Sequence, residues 1–411
     1  MPVDSEAVIR LAARGDGVTE SGRYLPMTAP GDRIGESGEI EPGPHRQTPP
    51  CRHFPECGGC QLQHVDDEAY AAYLRDRIAS ALAAQGLAEP DIRPAHLSPP
   101  NSRRRAALKV ERRGKAVLIG FHAEASHRIV DMRECHILRP ELFALVAPLR
   151  LLLGTLLGPR SGGGVRMTLA DQGVDLLLEG VEAEGLAATE ALTAFAREHR
   201  LARLALDDGL GPQTRWEPEP ATVILGGVPV PLPHGGFLQA TAEGEAALVV
   251  AVREAVGESR IVADLFAGLG TFALSLGGRI LAVEGARDSA LALKAAASRA
   301  GRSLFVDHRD LFRRPLDHAE LNRFEAVVLD PPRAGAKEQV ALLAGSDVPR
   351  IACVSCNPAT FARDARTLAD GGYALTWVKP VGQFRWSTHA ELAGCFSRAG
   401  GNGAAPSPRG R

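Results

Sequence analysis

From Ile261 onward, short apolar runs rich in β-branched residues alternate with helical segments, and no other feature constrains the fold of this chain so strongly. The strand candidates are Ile261–Phe266, Arg279–Glu284, Ser303–Val306, Ala326–Asp330, Ile351–Ser355, Ala374–Lys379 and Glu391–Ser397. Strands joined through helices return parallel to one another, which implies an α/β fold: a mostly parallel sheet covered by helices on both faces. Ligands of such sheets bind at the carboxyl ends of the strands. The residues just past each strand are therefore the ones to read for chemistry.

After the first strand comes Asp264-Leu265-Phe266-Ala267-Gly268-Leu269-Gly270-Thr271, a strand turning through Gly-x-Gly into a helix. Such a turn lets backbone amides approach a ligand, and an acid ending the next strand, here Glu284, can hold two ribose hydroxyls. The alternative for Glu284 is an exposed strand-end acid. Ala273 stands where a dinucleotide fingerprint has its third glycine, so S-adenosylmethionine, which carries no pyrophosphate, is favoured over a nicotinamide cofactor.

Two further segments fall at the same edge, Asp330-Pro331-Pro332-Arg333 after the fourth strand and Ser355-Cys356-Asn357-Pro358 after the fifth. Cys353, inside its strand, reads as core. Cys356 opens a helix beginning near Ala359, where the helix dipole and a basic neighbour can lower a thiol pKa from about 8.5. It is the better nucleophile candidate. Near the C-terminus, His389-Ala390-Glu391 opens the last strand; taken alone, Glu391 reads as a surface acid and His389 as a satisfied polar residue, with general base the alternative role for the carboxylate.

Upstream, the organisation is different. A chain of 411 residues should hold two to four domains at roughly 100 to 200 residues each. Residues 1–48 are rich in Gly, Pro and charge and read as a small β module. Asp66 to Gly86 is a helix, capped by Asp66, with Tyr70, Leu74, Ile78 and Leu82 on one face and Gly86 ending it. Residues 100–232 mix strands with helical stretches near 140–157 and 186–200, an α+β pattern, and the Pro/Gly-rich Gly226–Gly236 marks a boundary. The expected division is 1–48, 49–234, 235–398 and a disordered tail, 399–411. The longest apolar run, Phe143 to Leu157, is broken by Pro148, Arg150 and Gly154, too short for the roughly 20 residues of a membrane span. No secretory pattern opens the chain, so a cytoplasmic monomer with no membrane partner is expected.

Forty-seven basic residues against 49 acidic ones give a net charge of −2, which argues against a chain that holds nucleic acid over its whole surface. Between Arg103 and Lys115, however, seven basic residues face one acid, Glu111. The cluster can bind phosphates, or it is the solvated turn of a hairpin formed by Ala107–Glu111 and Ala116–Phe121. Seven cysteines in such a chain point to ligand or nucleophile roles rather than disulfides. Cys51, Cys57 and Cys60 are separated by five and then two residues, and Cys135 follows after 74 more. Four thiolates suit structural zinc or an iron–sulfur cluster; the three-plus-one grouping favours the cluster, because zinc sites usually come as two close pairs.

Together these segments resemble the RNA uracil-5-methyltransferase family, most closely its iron–sulfur branch that methylates 23S ribosomal RNA. The resemblance spans nearly the whole chain and is carried by Cys51 to His64, Gly120 to Cys135, Gly236-Phe237-Leu238-Gln239, the Asp264 to Thr271 loop, Asp330 to Gly335, and Val354 to Asp364. It implies a Rossmann-like S-adenosylmethionine-dependent methyltransferase domain at the C-terminus, an α+β iron–sulfur middle domain facing RNA through Arg103 to Arg105, and a TRAM-like β module at the N-terminus. It also implies that Cys51, Cys57, Cys60 and Cys135 ligate a four-iron, four-sulfur cluster, that Gln239, Phe266, Gly268, Gly270, Thr271, Glu284, Asp310 and Asp330 contact S-adenosylmethionine or the reaction centre, and that Cys356 is the nucleophile and Glu391 the base. The implied reaction transfers a methyl group to carbon-5 of a uridine in RNA through a covalent cysteine adduct, in 23S or alternatively transfer RNA. Two departures stand out: residues 6–48 look short for a TRAM module, and Gly382 stands where the family commonly has an Asp. The rival readings are an amino-group methyltransferase, which would want an aromatic where Arg333 stands and leave Cys356 idle, and a catalytically dead iron–sulfur RNA-binding protein.

Overall fold

The computed structural model describes residues 5–398; the tail expected to be disordered, 399–411, lies outside the described residues. The seven C-terminal strands are Ile261–Leu265, Arg279–Glu284, Leu304–His308, Ala326–Leu329, Arg350–Ser355, Tyr373–Gly382 and Glu391–Arg398. Counted in chain order, they lie side by side as third, second, first, fourth, fifth, seventh and sixth. The first five pair in parallel, whereas the seventh runs antiparallel to both its neighbours. Between the first and fourth strands the order reverses, and at such a switch point the loops diverge and leave a crevice for ligand.

Apolar residues on both sides of the strands explain why the sheet is covered twice. All four residues of Ala326–Leu329 are buried, as a parallel sheet between helices requires. Leu248, Val252 and Leu293, from helices Ala242–Val256 and Arg287–Arg299, pack on one face. Val340, Leu343, Phe361 and Leu368, from Lys337–Ala344 and Pro358–Asp370, pack on the other.

The helix read at Asp66–Gly86 runs Asp67–Ala84, with the Asp66 carboxylate accepting from the Ala69 amide, and Tyr70, Leu74, Ile78 and Leu82 are buried. Its apolar face lies not on the middle sheet but on the C-terminal one, where Ile78 and Leu82 join the core of Phe361 and Leu368. The strands that follow, Asp91–Ile92 and His96–Leu97, pair in parallel with Tyr373–Gly382. The hairpin Thr222–Leu225/Val228–Pro231 likewise shares its core with Leu248, Phe272 and Leu274. Gly226 and Gly227, in the Pro/Gly-rich stretch, make its turn with φ of 55° and 78°, a conformation that favours glycine.

The middle six-stranded sheet is ordered Gln213–Trp216, Arg203–Asp207, Gly173–Glu179, Gly162–Ala170, Arg105–Arg113, Ala116–Gly120. Instead of one helical stretch at 140–157 there are two, Pro140–Ala144 and Val146–Leu156. Pro148 is the reason: its ring would clash with the carbonyl four residues back in a continuous helix, yet it is tolerated in the first turn of a new one. The N-terminal module is a five-stranded sheet of short antiparallel strands. There Asp32, fully buried, accepts from Arg46 at 2.6 Å and from the Ala29 amide at 2.7 Å. Among the described residues no helix is long and apolar enough to cross a membrane.

Gly394 shows how tightly the C-terminal core closes: a Cβ added there would come within 2.6 Å of the Phe361 ring, which packs 6.0 Å from that of Phe396. Phe361→Ala should cost about 3–5 kcal/mol, read as a lowered urea midpoint with an unchanged slope. A loss below 1 kcal/mol would show that this face is not a close-packed core.

Candidate active site

An antiparallel strand begins at the edge where its parallel neighbours end. The pairing of Ser355 with Leu392 and of Val381 with Glu391 therefore delivers Glu391 to the carboxyl edge beside Cys356. Asp330 arrives at the same edge from the fourth strand. Glu391, read in isolation as a surface acid, is instead 6 % exposed, and its Oε2 has no hydrogen-bond partner. Burial, reinforced by the Asp330 carboxyl and only partly offset by Arg105, pushes the Glu391 carboxyl up to about 8. Burial alone pushes Asp330 up to about 7. Asp264, at the base of the same crevice, is fully buried; its Oδ2 accepts from the Ala273 amide at 2.8 Å and its Oδ1 from nothing.

Cys356 corrects a sequence expectation. The helix it precedes starts at Pro358, capped by the Asn357 side chain, as anticipated. Its thiol is nevertheless pushed up, not down: burial and the Glu391 and Asp330 carboxyls outweigh the Arg333 guanidinium. Helix dipole and basic neighbour are present, but two acids share the site. Cys353 is 2 % exposed in the core. His389 lies at the crevice rim, its ring 5.4 Å from that of Phe384, and partial desolvation together with the nearby Arg333, Arg103 and Arg77 lowers its pKa.

The glycine turn forms the other half of the crevice. Phe266 adopts a φ of 63° as the chain leaves the first strand, a conformation costly for an aromatic residue and typical of functional sites. Its ring lies 5.4 Å from that of Phe312, which is exposed. Gly268 has φ of 56° and nothing within 4 Å of where a Cβ would stand, so its backbone faces open space; at Gly270 a Cβ would meet Leu293 at 2.4 Å. Glu284 is not a free surface acid, because its Oε2 accepts from the Gly268 amide at 2.7 Å. Thr271 lies in the turn after Gly270, and Asp310 accepts from the Phe312 amide at 3.0 Å. Phe312 was not singled out from the sequence; an exposed aromatic two residues past Asp310 was the available signal.

Gln239 enters from the segment before helix Ala242–Val256 and is 4 % exposed. Gln383 donates to its Oε1 at 2.7 Å, a contact between residues 144 positions apart that no local pattern announces. Gly382, where the resemblance would place an Asp, packs so closely that a Cβ would lie 2.9 Å from both Leu74 and Leu97. Helix Asp67–Ala84 braces the loop that follows: the Tyr70 hydroxyl donates to the Phe384 carbonyl at 3.0 Å and Arg77 to the Thr388 carbonyl at 3.1 Å.

Cys51, Cys57, Cys60 and Cys135 line one cavity with Phe54, Phe121, Met132 and Ile137, and it opens partly to solvent. A Cβ on Gly58 would come within 2.8 Å of the His122 carbonyl oxygen, so only glycine lets the chain pass there. Burial pushes all four thiols up, Cys60 to about 12. The basic cluster divides. Arg104 pairs with Glu245, and Arg113 with Glu111. Arg105 lies over the exposed Phe237 ring at 4.5 Å, while Arg103 turns inward over the Phe121 and Phe384 rings and has no carboxylate partner among the described residues.

Against known proteins, a family model described as tRNA (Uracil-5-)-methyltransferase matches residues 303–398. The chain is 55 % identical over 393 residues, 95 % of its own length and 99 % of the relative's, to an RNA methyltransferase of Zymomonas mobilis named as uncharacterized. It is 31 % identical over 448 residues, 99 % of its length and 90 % of the relative's, to the 23S rRNA (uracil(1939)-C(5))-methyltransferase of Chromohalobacter salexigens. The fold resembles that of the Pyrococcus abyssi tRNA (uracil-54, C5)-methyltransferase in complex with S-adenosyl-L-homocysteine, with a TM-score of 0.75 and 21 % identity, covering 95 % of this chain and 99 % of that one.

The buried carboxyl at Glu391 has a measurable cost. A carboxyl whose folded pKa lies above its unfolded one contributes stability that is complete below the unfolded pKa and is lost as pH rises through the folded pKa. Glu391→Gln abolishes that ionisation. Its melting temperature should therefore match the parent's near about pH 4 and exceed it increasingly up to about 8, where the Glu391 titration ends. A difference independent of pH would refute the buried proton.

Proposed function

The chain belongs to the S-adenosylmethionine-dependent RNA (uracil-5-)-methyltransferase family, and from that premise we propose that it methylates carbon-5 of a specific uridine in 23S ribosomal RNA through a covalent adduct on Cys356. The observation that carries the reading is the antiparallel register that sets Glu391 beside Cys356 and Asp330 in one crevice.

Carbon-5 of uracil is too weak a nucleophile to take a methyl group unaided. The Cys356 thiolate adds to carbon-6 and generates an enolate, whose carbon-5 would take the methyl group as the methyl's bond to the sulfonium sulfur breaks and S-adenosylhomocysteine leaves. S-Adenosylmethionine supplies an electrophilic methyl on a sulfonium. Glu391, as carboxylate, then takes the remaining proton from carbon-5; the carbon–sulfur bond to Cys356 breaks and 5-methyluracil is released. The Phe266–Phe312 ring pair, the open Cβ side of Gly268 and the Glu284 carboxylate suit an adenosyl group, with Gly270 and Thr271 in the turn around it and Asp310 holding the Phe312 amide. A paired uracil hides carbon-6 in the stack, so the target must be single-stranded or flipped out.

The four cysteines suit a four-iron, four-sulfur cluster better than zinc. One zinc ion draws its ligands to about 2.3 Å from a single point. Among the described residues no three His, Cys, Asp or Glu are placed to hold a metal ion of any kind, so the preference for a cluster rests on the three-plus-one grouping of the cysteines, which line one cavity. Such a cluster would tie the loop at Cys51–Cys60 to Cys135 and plays no part in the steps above.

Transfer RNA is the second reading, favoured by the description of the matching family model. Trapping on RNA containing 5-fluorouridine separates the two, because fluorine cannot leave as a proton. Denaturing electrophoresis should show a shifted band that maps to Cys356 on a 23S fragment; a transfer RNA adduct would change the substrate, and an adduct on neither would overturn the reading. Glu391→Gln should lower turnover about 10²- to 10⁴-fold and accumulate the same adduct on ordinary uridine. Cys135→Ser should purify anaerobically without the brown colour and iron of the parent; full iron content would remove Cys135 from the ligand set.

A further inference from the structure

Three chain segments meet at Gln239. Arg104 donates from Nε to the Gln239 carbonyl at 3.0 Å and from its amide to the Ala240 carbonyl at 2.9 Å. The third partner is Gln383, 2 % exposed, from the loop leading to Glu391. Its Oε1 accepts from the Ala240 amide at 2.7 Å and from the Thr241 amide at 3.4 Å. Two backbone donors fix which end of the Gln383 amide is oxygen. Its Nε2 must then point the other way, and there it donates to Gln239 Oε1 at 2.7 Å.

The consequence passes to Gln239. With its oxygen occupied, its Nε2 is the free end; among the described residues that nitrogen donates to no protein acceptor, yet it is not sealed from solvent. We propose that Gln383 is a positioning residue that locks Gln239 with its two N–H groups toward the substrate, so that the site reads a carbonyl at carbon-4 of the pyrimidine and rejects an amino group. The inference rests on the uracil reading above. Uracil presents an acceptor at that position and cytosine a donor. When the Cys356 thiolate adds to carbon-6, negative charge develops on the same oxygen, where a preorganised donor is most effective. At the neighbouring Gly382 a Cβ would lie 2.9 Å from both Leu74 and Leu97, so that position is taken up by packing.

Assayed above about pH 8, where a carboxyl buried like that of Glu391 has ionised, Gln383→Glu keeps the acceptor for Ala240 and Thr241 but has no hydrogen to donate to Gln239 Oε1. Gln239 should turn over, present its oxygen to the substrate and lose the donor. On the RNA fragment that the parent traps with 5-fluorouridine, turnover should fall about 10²-fold. S-Adenosylmethionine binding by calorimetry should stay unchanged. The preference for that fragment over one with cytidine at the target position, measured by anisotropy, should narrow at least about tenfold. A merely structural role would lower both affinities together and leave their ratio intact, and that outcome overturns the proposal. Gln383→Met, of similar volume and without donor or acceptor, serves if the glutamate variant is unstable; it should also narrow the ratio. Failure of the parent to trap any RNA would sink the uracil reading instead. The clamp is then still testable in glutamine-¹⁵N-labelled protein, where the Gln239 side-chain amide signals, assigned by their loss in Gln239→Glu, must move in Gln383→Met; unmoved signals overturn it.

Discussion

One reversed strand sets the chemistry of this molecule. In an all-parallel sheet, every strand brings its last residue to the ligand edge and carries its first to the opposite side. Because Glu391–Arg398 runs antiparallel between Arg350–Ser355 and Tyr373–Gly382, its first residue reaches the edge that its neighbours reach with their last. Cys356 and Glu391 thus meet without any long loop, each held by ladder hydrogen bonds a residue or two away. Such placement is stiffer than a loop can provide.

The same crowding sets the electrostatics. Asp264, Asp330 and Glu391 are all buried or half-buried within range of one another, and burial favours the neutral form of each. Arg105 is the cation that draws charge back onto Glu391. The crowding also explains why the Cys356 thiol is raised despite its place before a helix. Local sequence context, a helix start and an arginine nearby, predicts the opposite sign, because it cannot register the two carboxyls that the sheet brings alongside.

How much could be read from the chain follows the range of the interactions. The strands, the Gly268 and Gly270 turn and the Asp66-capped helix are local, and their sequence patterns announce them. Pro148 is a local signal of the same kind, since a proline is tolerated only in the first turn of a helix and so marks a new start near Val146. The assignment of helix Asp67–Ala84 to a sheet was not legible, since an amphipathic face shows that it is buried but not against what. Gln383 was invisible for the same reason: its meaning lies in the amides of Ala240 and Thr241 and in Gln239, none of them near in sequence. Glu391 looks like a surface acid in its own segment and is recognisable only beside the strand that buries it.

Strands Asp91–Ile92 and His96–Leu97 close the sheet against Tyr373–Gly382, so an early part of the chain finishes what the last part begins. During synthesis, helix Asp67–Ala84 emerges long before Phe361, Leu368 and Tyr373, whose core its Ile78 and Leu82 share. For most of translation that apolar face has no partner, and the pairing of such distant segments is slow to find. A nascent chain of this kind depends on being shielded until its final strands appear, and one released early would present both a naked sheet edge and an uncovered helix to the cell's quality-control machinery.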